Sequence, residues 1–199
     1  MPGIEIVQEK TIIKEGRISM NFALGDLSDR QFEKVSNIVY RECGITLKCG
    51  KEALVRARLT KRLRALKMEK FSEYFRYLES DSGREELGLM IDVMTTNKTS
   101  FFRERAHFDF LGETVLPTLS GRRLRFWSAA CSSGEEPFSL AMFLLEMMPG
   151  LGSQDVKILA TDISPTILEK AGRATYEEGM LLDLPSTFIR KYFVKVGNR

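Results

Sequence analysis

Three carboxylates set around a run of small residues mark the part of this chain equipped for chemistry. In RLRFWSAACSSGEEPFSLAMFLL, residues 123–145, an apolar strand pattern ends in Ala129, Ala130, Cys131, Ser132, Ser133 and Gly134, and Glu135 and Glu136 open the helix that follows. A second strand pattern, KILATD, closes on Asp162. A strand, a tight small-residue turn, a helix and a second strand ending on an acid form the unit that carries nucleotide-like cofactors across the carboxyl ends of a doubly wound sheet. The small turn lets the cofactor approach, and the acid can accept hydrogen bonds from both ribose hydroxyls. A dinucleotide fits poorly, because the turn holds one glycine where a pyrophosphate needs three and places Glu135 and Glu136 where a phosphate needs bare amides. A ribose-bearing cofactor with positive charge and no phosphate suits the turn, and S-adenosylmethionine has those properties.

The same residues also have a purely local reading. Ser133 with Glu136, or Ser132 with Glu135, has capping-box spacing, and Pro137 belongs in a helix's first turn. Asp162 can serve as a strand-end or turn residue ahead of PTILEKAG, a helix that Ser164 and Pro165 already start.

The elements needed to position these groups fall into two parts. The 199 residues are 43% hydrophobic, ample for a real core, and the net charge is +3. No apolar run approaches the roughly 18–20 residues of a membrane span, and the charged N-terminus is no signal peptide, so a cytoplasmic protein without membrane insertion is expected. Cys43, Cys49 and Cys131 lack paired spacing and His107 is the single histidine, a set that offers no metal site and leaves His107 as a surface or packing residue. Residues 1–23 show little periodicity and read as an extended arm. Residues 24–93 read as a small four-helix domain. Ser28 caps the first helix, which carries Phe32, Val35, Ile38 and Val39, and GITLKCG breaks it. A basic helix, FSEYFRYLES and REELGLMIDVMTT follow. Residues 94–199 form the second part, in which strand and helix patterns alternate from Arg122 onward, the signature of an α/β fold with a parallel sheet.

The basic helix is the second chemical feature. Residues 51–70 hold eight basic side chains against Glu52 and Glu69. At about 100° per residue, Val55, Leu59, Leu63 and Leu66 share one side, leaving Arg58, Lys61 and Arg64 for solvent or for an acidic partner. The third feature is MTTNKTSFFRERAHF, residues 94–108, where Thr95, Thr96, Asn97, Thr99 and Ser100 crowd ahead of Phe101, Phe102 and Arg103. One such residue suffices as a helix cap, and the planar fork of Arg103 matches a carboxylate.

TTNKTSFFRE, FWSAACSSGEEPFSLAM and LATDISPTILEKA, in this order and spacing, resemble the CheR family of chemotaxis receptor methyltransferases, over about residues 24–193. The resemblance implies a helical N-terminal domain joined to a Rossmann-like methyltransferase domain that moves methyl groups from S-adenosylmethionine to receptor glutamates, leaving S-adenosylhomocysteine. It implies that Asn97, Thr99, Arg103, Glu135 and Asp162 contact the cofactor, with Arg103 orienting the incoming carboxylate. It also implies that Arg58, Lys61, Arg62 and Arg64 meet the acidic cytoplasmic helices of chemoreceptors. The chain stops at Arg199, where the family's methyltransferase domain continues, so about two strands of the sheet are expected here, with an exposed apolar edge and face. Two other classes remain open. A catalytically inactive relative would bind partners through its basic helix, and a nucleic-acid binder would show a groove-reading motif or a stacking surface that this sequence lacks.

Overall fold

The computed structural model describes the backbone of residues 4–7 and the whole of residues 26–119, 123–148 and 154–197. Contacts divide the chain into two compact units, Ile13–Thr96 and Asn97–Arg199, the latter together with Met1–Ile12.

The first unit is helical: α1 (Asp29–Cys43), α2 (Glu52–Ala65), α3 (Phe71–Leu78) and α4 (Arg84–Met94). Ser28 caps α1 in a full capping box, its hydroxyl accepting from the Gln31 amide while the Gln31 side chain accepts from the Ser28 amide. Gly44 ends α1 in the left-handed conformation that glycine adopts without strain. The expected apolar stripe of the basic helix is the buried one: Val55, Leu59 and Leu63 pack with Val35 and Val39 of α1, Phe71, Tyr74 and Phe75 of α3, and Met90 and Met94 of α4. Each such side chain contributes about 1.5–3 kcal/mol on burial, which is what holds four short helices together.

One polar group enters this core. Glu86 of α4 is 4% exposed and takes both arms of the Arg62 guanidinium, at 2.9 and 2.7 Å, together with the Tyr74 hydroxyl at 2.8 Å. The ion pair raises the Arg62 pKa, and burial together with Glu86 pushes the Tyr74 phenol well above its usual value.

The second unit alternates strand and helix. It contains β1 (Ile4–Val7), α5 (Arg105–Phe110), β2 (Arg123–Ala129), α6 (Glu135–Met147), β3 (Asp155–Thr161), α7 (Pro165–Arg173), β4 (Thr175–Glu177), α8 (Ser186–Tyr192) and β5 (Phe193–Val196). β2 and β3 pair in parallel, Trp127 beside Leu159 and Ala129 beside Thr161, with α6 as the crossover. Leu124 and Ser128 point into the packed side, while Trp127 and Leu159 are 68% and 59% exposed on the other, the exposed apolar face anticipated for a two-stranded sheet. Ser164 caps α7 by accepting from the Ile167 amide, with Pro165 in the first position, as its sequence predicts.

A second sheet is additional to that expectation. It runs β4-β1-β5 with parallel pairing throughout. Of the segment read as an arm, Ile4–Val7 is the described part, and it is the middle strand of this sheet. Beside this sheet a mixed aromatic and aliphatic core gathers Phe101, Met142, Tyr176, Leu181, Leu184 and Phe193. Among the described residues no helix is long and apolar enough to cross a membrane. His107 lies exposed on α5.

Candidate functional site

The small-residue turn is shaped by backbone strain. Ala130, Ser132 and Gly134 have φ values of 61°, 51° and 98°. The two non-glycine residues each cost on the order of 1–2 kcal/mol in that region, a penalty that surrounding bonds must offset. Those bonds are present. The Cys131 amide donates to the Thr161 carbonyl at 2.9 Å, continuing the β2–β3 ladder past the end of the strand. The Gly134 amide donates to the Cys131 carbonyl at 3.0 Å.

Asp162 joins two loops at the carboxyl end of the sheet. Its Oδ2 accepts from the Ser132 amide and its Oδ1 from the Ser164 amide, each at 2.9 Å. The second bond is the turn role its position predicts; the first ties β3 to the turn after β2. The side chain remains half exposed, and each oxygen retains a lone pair for a further donor.

The turn also reaches the threonine-rich loop, since the Ser132 hydroxyl donates to the Asn97 carbonyl at 3.2 Å. Asn97 is exposed and Thr99 half-buried. Arg103 follows Phe102 and precedes Glu104, both with positive φ, and its Nη1 donates to the Lys98 carbonyl at 2.7 Å while the side chain stays exposed. This bond holds one prong of the fork, on a side chain that is otherwise open to solvent.

Glu135 is fully buried. Its Oε2 accepts from the Ser133 hydroxyl at 2.7 Å, whereas Oε1 has no partner among the described residues. A buried carboxylate oxygen left unsatisfied is costly, and such groups call for a specific explanation. The capping reading of this region does not hold. Gly134 is the N-cap of α6 and no side chain caps the helix. Because the chain enters through left-handed residues, the Ser133 hydroxyl meets the Glu135 carboxylate rather than a backbone amide. Glu136 turns the opposite way and accepts from the buried Ser128 hydroxyl at 2.6 Å.

Asn97, Ser132 and Asp162 therefore form one hydrogen-bonded chain, and Glu135 joins the same turn through Ser133. No direct bond between described residues links Arg103 to Glu135 or Asp162. Cys131, buried in the turn, has its thiol pKa raised by desolvation first and by the Asp162 charge second, so it stays protonated at neutral pH. Two hydroxyls that the motifs did not single out belong to the arrangement. The Ser139 Oγ accepts from the Phe102 amide at 2.9 Å and donates to the Glu135 carbonyl at 2.6 Å. The Tyr176 hydroxyl donates to the Ser133 carbonyl at 2.8 Å. A lone serine inside the apolar run FSLAMFLL was the available signal for the first; nothing local marks the second.

The four basic positions of α2 do not form one free patch. Arg62 is taken by Glu86, and Arg58 donates to the Met94 carbonyl at 2.6 Å and to the Thr96 hydroxyl at 3.1 Å. Lys61 and Arg64 are exposed.

The arrangement suits a cationic, phosphate-free ligand. The Ser132 and Ser164 amides that a phosphate would use are occupied by Asp162, and Glu135 keeps one buried oxygen without a partner among the described residues.

Comparison with known proteins agrees on one family. Residues 97–199 match the family described as CheR methyltransferase, SAM binding domain, and residues 30–95 match CheR methyltransferase, all-alpha domain. A chemotaxis protein methyltransferase of Borreliella burgdorferi is 39% identical over 175 residues, 84% of this chain and 62% of that protein. A probable chemotaxis protein methyltransferase of Rhizobium etli is 41% identical over 164 residues, covering 80% and 61%. The chemotaxis protein methyltransferase of Escherichia coli is 38% identical over 169 residues, covering 85% and 58%. The chain thus spans 58–62% of the length of these relatives.

Proposed function

The chain belongs to the CheR methyltransferase family, and on that premise we propose that it methylates glutamate side chains of chemoreceptors with S-adenosylmethionine as donor. The observation that carries this reading is Glu135, wholly buried with one oxygen unpaired beside a turn built by Asp162.

In this reading Asp162, Asn97 and Thr99 hold the ribose side of the cofactor, and Glu135 receives a cationic donor from its amino-acid end. S-adenosylmethionine supplies a methyl group already activated by a positively charged sulfur. The residues then have only to bind, orient and exclude water. A substrate glutamate with pKa of about 4.3 is ionised at neutral pH, so no general base is required. That agrees with a site whose own titratable groups are carboxylates bonded to amides and hydroxyls rather than a histidine. Arg103 offers its other donors to the substrate carboxylate. Orientation of this kind can lower a barrier by several kcal/mol.

The receptor surface follows from what is exposed on α2. Lys61 and Arg64 face the partner, an acidic helical segment of the receptor's cytoplasmic part, while Arg58 and Arg62 brace the helix from within.

Receptor methylation assayed with labelled cofactor tests both assignments. Arg103→Ala should lower turnover roughly ten- to a hundredfold while S-adenosylhomocysteine affinity changes far less. Lys61→Glu with Arg64→Glu should weaken methylation of receptor and spare cofactor affinity. Normal turnover in the arginine variant, or loss of cofactor binding in the double variant, contradicts the assignment concerned.

A further inference from the structure

The loop 97–103 and the turn 130–135 come from distant parts of the sequence and share no secondary-structure ladder. Yet both must be held to a fraction of an ångström if together they form a binding site. Besides Ser139, which bonds Phe102 and Glu135, a second buried residue touches both of them. Tyr176, in β4, is 3% exposed. Its hydroxyl donates to the carbonyl of Ser133, the residue whose own hydroxyl holds Glu135. Its ring packs edge to face on Phe101, centroids 4.9 Å apart, and on Phe138 at 6.1 Å. Phe101 is the residue next to Phe102 and Arg103 in the loop, and it is gripped from another side by Phe193 at 5.4 Å.

The turn is fitted to this phenol. A Cβ on Gly134 would lie 2.8 Å from the Tyr176 oxygen, and Gly134 has a φ of 98°, so glycine there serves both the turn's hand and the approach of the hydroxyl. Burial, followed by the charge of Glu135, raises the phenol's pKa, so it remains a donor throughout the working pH range.

We infer that Tyr176 is a positioning residue for the cofactor site: through its hydroxyl it fixes the turn that carries Glu135, and through its ring it fixes the loop that carries Arg103. The inference rests on the proposed function. It predicts that removing one oxygen atom, which bonds the turn's backbone, changes affinity for the cofactor more than it changes the fold.

The test is calorimetric titration of S-adenosylhomocysteine into the 199-residue chain and its variants, with thermal unfolding measured alongside. Tyr176→Phe keeps the ring and deletes the hydroxyl; affinity should fall roughly three- to tenfold. Tyr192→Phe is the control, since that hydroxyl donates to Glu146 at 2.5 Å, away from the turn, and its loss should leave affinity unchanged. Phe101→Leu keeps the Ser133 bond and loosens the ring contact, and should also weaken binding. It decides the matter if Tyr176→Phe does not fold. A merely structural tyrosine would lower the unfolding midpoint and leave affinity at the wild-type value, and that result in both variants overturns the inference. Failure of the wild-type chain to bind is a different outcome: it overturns the proposed function and the inference with it.

Discussion

Among the described residues each unit buries one glutamate, and the two are treated in opposite ways. Glu86, in the helical unit, is 4% exposed and has both oxygens committed to a paired arginine fork and a tyrosine hydroxyl. Glu135, in the second unit, is fully buried and has one serine hydroxyl, no cation and a bare oxygen. Backbone strain divides the same way. Among the described residues, Lys67 is the non-glycine residue with positive φ in the helical unit, whereas Phe102, Glu104, Ala130, Ser132 and Ala174 have it in the second. Satisfied charge and relaxed backbone belong to a scaffold. An open valence beside a strained turn is what the proposed cofactor site would use.

Perturbing each glutamate in turn separates the two cases. The largest effect should come from Arg62→Ala, which leaves the Glu86 charge buried and unpaired and should cost about 3–5 kcal/mol in urea unfolding. A neutral result there would mean that Glu86 is satisfied without the arginine, and the scaffold half of the contrast would fail. Glu135→Gln should act differently. It retains an acceptor for Ser133, removes an uncompensated buried charge and should leave stability unchanged or higher. Affinity for S-adenosylhomocysteine should nevertheless drop roughly tenfold, equivalent to 1.4 kcal/mol. If the variant instead loses stability and keeps its affinity, Glu135 is a structural group like Glu86.

Legibility in the sequence followed the range of the interaction. The Ser28–Gln31 cap, the Ser164–Pro165 start of α7 and the Val55, Leu59, Leu63 stripe depend on neighbours within one or two helical turns, and each was readable as spacing. The capping box expected at Ser133 and Glu136 failed because spacing says nothing of backbone hand. Three left-handed residues in the turn sent both glutamates to other partners. Arg62 counts as one more cation of a basic helix until α4 brings Glu86 against it, 24 residues away. Tyr176 and Ser139 are further beyond local reading, because their significance lies in joining segments 43 and 37 residues apart. The acid at the end of β3 was legible as a strand-end turn residue through its bond to the Ser164 amide, and the bond to Ser132 is what the fold adds.

The turn at the carboxyl end of β2, with Asp162 and Glu135, is the proposed cofactor site. Titrating S-adenosylhomocysteine into the folded 199-residue chain tests it most directly, because the methylation product probes the site without needing a receptor. Saturable binding at one site per chain is the predicted result. A chain that is folded by circular dichroism and takes up no ligand would contradict the account.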